Sequence, residues 1–127
     1  MRVIAVLAAI GLTAAPTAGA AGSTGIKGRV VDLSCPGPCY PDDTGHPFAG
    51  PGEIVVKRVS NREVVRRTTV DAGAFRVGVR AGSYSVRVIP YPDEPGRPCW
   101  DGDKQRVRVE AGELARIRLE VRNSCLL

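Results

Sequence analysis

The feature that most constrains this chain is a period of two. In Phe75-Arg76-Val77-Gly78-Val79-Arg80 the odd positions are apolar and the even ones charged or small. Tyr84-Ser85-Val86-Arg87-Val88, Arg106-Val107-Arg108-Val109 and Arg116-Ile117-Arg118-Leu119-Glu120-Val121-Arg122 repeat the alternation. Successive side chains of a strand point to opposite faces, so each stretch predicts a strand with one buried and one charged face. Val and Ile, branched at Cβ, fit such a pleated, half-buried surface. Strands are expected over residues 26–33, 53–60, 62–70, 74–80, 84–89, 104–110 and 114–122, with almost no helical period anywhere.

The breaks between these segments carry turn chemistry. Ser60-Asn61, Asp71-Ala72-Gly73, Ala81-Gly82-Ser83 and Ala111-Gly112-Glu113 bring residues that tolerate positive φ or cap a turn. Two connections are long and rich in Pro, Gly and Asp, over 34–52 and 90–103. Seven short strands with alternating burial predict an all-β, seven-stranded, two-sheet sandwich of the immunoglobulin/transthyretin-like kind. Its expected core draws on Ile26, Val30, Ile54, Val56, Val64, Phe75, Val77, Val79, Tyr84, Val86, Val88, Val107, Val109, Ile117, Leu119 and Val121. The length of 127 residues suits one domain.

The first twenty residues read as a secretory signal: Met1-Arg2 is the positive start, 3–12 the apolar run, and Ala18-Gly19-Ala20 the small-residue cleavage site. The apolar run is shorter than the ~20 residues a membrane span needs, so no transmembrane anchor is expected. Residues 21–25 are expected to be a flexible leader, and 26–127 the domain. The protein is thus expected to be secreted. All four cysteines, Cys35, Cys39, Cys99 and Cys125, follow the signal, and an even count after an export signal predicts two disulfides. Their spacing does not match common zinc sites, so no metal and no cofactor are expected.

The order of these elements resembles carboxypeptidase regulatory-like domains, small transthyretin-like (prealbumin-like) sandwiches with a carbohydrate-binding-like fold. The resemblance rests on Gly28-Arg29-Val30-Val31 opening the first strand, on Thr69-Val70-Asp71-Ala72-Gly73-Ala74-Phe75-Arg76-Val77, and on Ala81-Gly82-Ser83-Tyr84-Ser85-Val86. It spans about residues 25–122. Ala72 stands where the family commonly has Asp or Asn, and Ala81 replaces its usual Pro. The resemblance implies an accessory or binding module and brings no catalytic residues. Independently of it, Gly73 is expected to supply a turn conformation closed to residues with a Cβ, and Tyr84 to plug the end of the core with its hydroxyl at the rim.

If successive strands alternate in direction, the connections after the first, third and fifth strands share one pole with the end of the seventh. That counting gathers all four cysteines. Three connectivities are open, and Cys35–Cys39 with Cys99–Cys125 is favoured: the Pro-Gly-Pro insert can fold the first pair back, and the second ties the tail to the 90–103 connection. The same pole gathers Tyr40, His46, Phe48, Tyr91 and Trp100 with Asp42, Asp43, Asp93, Asp101 and Asp103. Loops on a rigid scaffold are where binding residues collect. A Trp or Tyr face can stack on a sugar ring while Asp accepts its hydroxyl hydrogens, which makes Tyr40, Tyr91, Trp100, Asp101 and Asp103 the candidate ligand-binding residues. The alternative is that the aromatics pack over the disulfides as a small second core. Asp101-Gly102-Asp103 is too short to supply a calcium site. His46 reads as a surface loop residue, and no catalytic arrangement is apparent, so the chain is not expected to be an enzyme.

Arg76, Arg80, Arg87, Arg106, Arg108, Arg116, Arg118 and Arg122 fall at outward positions in a chain of net charge +5. Such a face can attract anionic envelope polymers or phospholipid heads, or serve to keep the sheets soluble and unpaired. Nucleic acid is not an expected partner, because these arginines have no aromatic residues among them. The sequence therefore points to a secreted, non-catalytic binding or interaction module, with an envelope polysaccharide or an exported protein as partner. The alternatives are a purely structural spacer of the envelope and, less favoured, a hydrolase. The oligomeric state is not legible.

Overall fold

The computed structural model describes residues 24–35, 45–92 and 99–126. The signal at 1–20, and with it Cys39, Tyr40, Asp42, Asp43 and Asp93, lies outside the described residues. The strands are β1 (Gly25–Asp32), β2 (His46–Pro47), β3 (Gly52–Arg58), β4 (Val64–Thr69), β5 (Ala74–Gly78), β6 (Gly82–Pro90), β7 (Trp100–Gly102), β8 (Lys104–Val109) and β9 (Leu114–Asn123). A 3-10 turn, Ser124–Leu126, follows β9.

Each of the seven expected segments contains a strand, but the described residues hold nine strands rather than seven. The two additions, β2 and β7, lie in the long connections and are two and three residues long, too short to display an alternation. Tertiary pairing creates them. Antiparallel β5 covers β1 from Gly25 to Arg29, and β2 takes up the same edge at Val31 and Asp32. β7 pairs with the far end of β9, Trp100 opposite Asn123. The first strand begins at Gly25, inside the span expected to be leader: its N–H donates to Glu113 O at 3.0 Å, and Thr24 Oγ1 accepts from Gly112 N–H at 2.8 Å.

The strands form two sheets. One has the order β2-β1-β9-β7 with β5 beside β1, and the other β4-β3-β6-β8. β1 and β9 run parallel, as alternating directions require of the first and last long strands. Side chains from both sheets meet in one core, including Ile26, Val30, Leu119 and Val121 from the first and Ile54, Val56, Val86 and Val88 from the second. Tyr84 is buried at 3% exposure, and its hydroxyl donates to Arg80 O at 2.6 Å, the plug-and-rim arrangement the sequence implies.

Val64 departs from the expected core: it is 39% exposed. The cause is an irregularity in β4. Val56 pairs with Arg66 but Lys57 pairs with Val64, so Val65 is an extra residue that reverses the alternation. Val65 packs against the core instead. Val107 and Ile117 are only partly buried, whereas Phe48, Val55 and Ala115 join the buried set.

The Asp71–Ala74 turn holds an alanine in a left-handed conformation. Ala72 and Gly73 both have positive φ, 51° and 78°, and the N–H groups of Asp71 and Ala74 donate to each other's carbonyls at 2.9 and 3.0 Å. A Cβ on Gly73 would meet Pro47 Cβ at 2.8 Å, so the position is closed to other residues on two grounds. Ala72 carries a conformation that Asn or Gly adopts more cheaply. Ala72→Asn is expected to stabilise the fold by about 0.5–1 kcal/mol, read as a raised midpoint in urea with unchanged slope.

Candidate functional site

The pole at which β1, β4, β6 and β9 end is held together by its backbone. Leu33 N–H donates to Val121 O at 3.0 Å, Asn123 N–H to Ser34 Oγ at 2.8 Å, and Ser124 N–H to Cys99 O at 2.9 Å. These bonds bring the ends of β1 and β9 to the start of β7. The favoured Cys99–Cys125 disulfide is present there, with Cα atoms 5.3 Å apart. Cys35 is buried at the same pole, and no described cysteine is free. Its favoured partner, Cys39, lies outside the described residues.

The chain changes sheets at Asp103. β7 belongs to the first sheet and β8 to the second, with this one residue between them. Asp103 N–H donates to Glu120 O at 2.9 Å on one side, and its carbonyl accepts from Val88 N–H at 3.1 Å on the other. Strands that cross between sheets make the corners of a sandwich. Gly102 precedes the crossing because a Cβ there would collide with Val88 O. The Asp103 carboxylate is engaged locally: Oδ1 accepts from Lys104 N–H at 2.8 Å and Oδ2 from Gln105 Nε2–H at 3.3 Å. Asp101, opposite Arg122, is exposed. Of the two candidate acids, Asp101 is therefore the one whose carboxylate faces solvent.

Three rings meet at this pole. Phe48 and Tyr91 lie edge to face at 5.7 Å and 87°, Phe48 and Trp100 at 5.8 Å and 54°, and Tyr91 and Trp100 at 5.1 Å and 56°. These separations and tilts suit attraction between ring edges and faces. Phe48, expected among the loop aromatics, is instead full core at 1% exposure. Tyr91 and Trp100 are half-buried and pack against the main core. The pole aromatics thus extend the principal core rather than form a separate one, and each of the outer two keeps an accessible edge. Tyr91 holds its position in a left-handed conformation (φ 50°), with its N–H donating to Pro51 O at 2.9 Å. Tyr40 lies outside the described residues, so the candidate set that can be placed is Tyr91, Trp100, Asp101 and Asp103.

A further contact at this pole was not foreseen from sequence. Asp32, buried at 9% exposure, accepts from Ser34 N–H at 2.8 Å through Oδ1, and its Oδ2 lies 3.5 Å from His46 Nε2. The period-two pattern gives Asp32 an inward position, and only pairing with β2 supplies its partner. His46 itself is exposed. Among the described residues no group of three or more His, Cys, Asp or Glu could hold a metal ion, and no helix is long and apolar enough to cross a membrane.

No protein-family profile matches the chain, and no curated protein is similar to it. Among solved structures, it is similar to shaft pilin SpaA from Lactobacillus rhamnosus GG, with a TM-score of 0.47 and 10% identity over 77% of this chain. A D295N mutant of the same pilin gives 0.48 and 7% over 79%. The chain spans about half the length of these structures, 49% and 51%.

Proposed function

We propose that the protein is an exported, non-catalytic interaction module that presents the disulfide-tied pole to a carbohydrate of the cell envelope. The observation that carries this reading is the half-buried Tyr91–Trp100 pair, fixed from beneath by Phe48; the exposed Asp101 lies on the opposite face of β7 from Trp100 and takes no part. A ring held rigidly loses little entropy when a sugar stacks on its edge or face. Export fits the Cys99–Cys125 disulfide, a bond that persists in oxidising compartments. Pairing of Cys35 with Cys39 and a carboxypeptidase regulatory-like ancestry belong to the same proposal.

The test is co-sedimentation of the oxidised protein with insoluble glycans and purified cell-wall polymer. Trp100→Ala should weaken binding about tenfold, the equivalent of one stacking contact of ~1.4 kcal/mol. Asp101→Asn, exposed on the opposite face of β7, should leave both binding and the thermal midpoint unchanged. Retained binding in Trp100→Ala sinks the reading. If Trp100→Ala unfolds the protein, Trp100→Leu, which keeps apolar packing but removes the ring face, decides. A second reading, a stable spacer that acts through protein partners, draws on the tight ties between β1, β7 and β9. It gains if no glycan binds the wild type.

A further inference from the structure

The outer face of the second sheet carries an arrangement separate from the core-packed aromatic cluster, with its Ile89 end two residues from Tyr91. Antiparallel register sets Arg67, Val55, Arg87 and Lys104 in one row across β4, β3, β6 and β8. The adjacent row on the same face holds Lys57, Ser85 and Arg106. Short side chains at Val55 and Ser85 sit between long cationic ones, and the result is a groove of about 500 Å³. It follows β3 and β6, from Ile89 at one end to Val59 and Arg62 at the other. From Val55 to Val59 alone that is about 14 Å at ~3.4 Å per residue. Val55 is only 5% exposed although it points outward, as expected where aliphatic stems of Lys and Arg lie over an apolar floor.

The charge in this groove is one-sided. Arg67 donates to Glu53 at 3.1 Å and Arg58 to Glu63 at 3.4 Å. Lys57, Arg62, Arg87, Lys104 and Arg106 form no ion pair among the described residues. Arg87 and Lys104 are direct cross-strand partners, a like-charge placement that costs stability. A surface needing only solubility would intersperse signs. The first sheet is basic too, with Lys27, Arg76 and Arg116 in one row. The groove on the second sheet has cationic side chains on its β4 side and on its β6–β8 side, with Lys57 between them.

We propose that this groove binds a linear phosphodiester polymer, such as a polyol phosphate, with successive phosphates lying between the walls. Arg62 and Arg67 stand on the β4 side, and Arg87, Lys104 and Arg106 on the β6–β8 side. A phosphodiester carries two non-bridging oxygens that diverge tetrahedrally, so one group can accept from both walls. A guanidinium fork matches phosphate and carboxylate alike, so the choice between them rests on the spacer that joins the charges. The carbon backbone between phosphates suits the partly exposed Val59 and Ile89 at the groove's two ends, and a flat bilayer would meet only the rims.

The probe is end-labelled poly(glycerol phosphate), titrated against the full oxidised protein by fluorescence anisotropy. If five phosphates are neutralised, the log–log salt slope should be roughly −3.5, a loss of about 100-fold between 50 and 200 mM salt. Arg87→Glu with Arg106→Glu should weaken binding by roughly 30-fold or more and flatten that slope. Arg116→Glu with Arg118→Glu, an equal charge change on the first sheet, should weaken it only a few-fold. Trp100→Ala should leave it unchanged, which separates this site from the aromatic pole. Equal losses in the two double variants would overturn the proposal, since net charge would then suffice. Equal affinity for poly-glutamate would overturn the phosphodiester assignment. Tighter binding to phosphatidylglycerol–phosphatidylcholine vesicles than to the polymer would overturn it in favour of a membrane. Matching thermal midpoints establish that both double variants are folded.

Discussion

Phe48→Ala is expected to destabilise the protein by about 3–5 kcal/mol, the usual cost of emptying a fully buried aromatic site. That is a large share of the ~5–15 kcal/mol that holds a domain folded. At 1% exposure Phe48 has no solvent to relax into, and its ring is the common neighbour of Tyr91 and Trp100. Its N–H also donates to Val30 O at 3.0 Å, so the backbone around it is anchored to β1 and the side chain cannot simply swing away. A Cβ on Gly52 would meet the Phe48 ring at 2.8 Å, which shows how closely β3 closes over it. The thermal midpoint should fall by roughly 15–30 °C for a domain of this size. Phe48→Leu should recover most of the loss, and Val64→Ala, at the exposed position displaced by the β4 irregularity, should stay within about 0.5 kcal/mol. The native Trp100 fluorescence should change in Phe48→Ala even below the transition, because its packing partner is gone. A shift of less than about 1 kcal/mol would mean that the pole aromatics contribute little to the fold.

The contrast between Phe48 and Val64 shows where the sequence was readable. The alternation in Phe75–Arg80 and Arg116–Arg122 survives in the structure because no extra residue interrupts it. Val64 fails because one extra residue in β4 reverses which side chains face inward, and nothing in the letters around it marks the insertion. Phe48 sits in a connection rich in Pro and Gly, where no period exists to assign it a face; tertiary pairing of β2 with β1 buries it. The gathering of Cys99 and Cys125 was legible from direction counting, since a chain that reverses at each turn has few ways to distribute its ends. Asp32 with His46, and the cross-sheet corner at Asp103, depend on which strands become neighbours. So does the cationic groove: Arg87 and Lys104 are unremarkable until the β6–β8 register sets them opposite each other.

Removing the Cys99–Cys125 disulfide should cost about 3–4 kcal/mol on the chain-entropy estimate for a loop of this length, the two cysteines having a sequence separation of 26. The loss should be concentrated rather than uniform. The bond ties the end of β9 to the start of β7, where three residue pairs make the whole ladder, Trp100 with Asn123 through Gly102 with Val121. A strand that short does not pair stably by itself. Ser124 contributes two bonds to Cys99 O, at 2.9 Å from its N–H and 3.1 Å from its hydroxyl, and both depend on the tail staying in place. In Cys99→Ser with Cys125→Ser, amide exchange should therefore accelerate first at Trp100–Gly102 and Ser124–Leu126, while Ile54 and Val86 in the centre of the second sheet stay protected until global unfolding. Because Trp100 rides on β7, the same variant should lose glycan binding before it loses its fold, yet keep its affinity for poly(glycerol phosphate), whose groove is built on β3, β6 and β8. Uniform acceleration across both sheets would instead mean that the bond acts only on the unfolded chain and that β7 is held by Phe48 and Tyr91 alone.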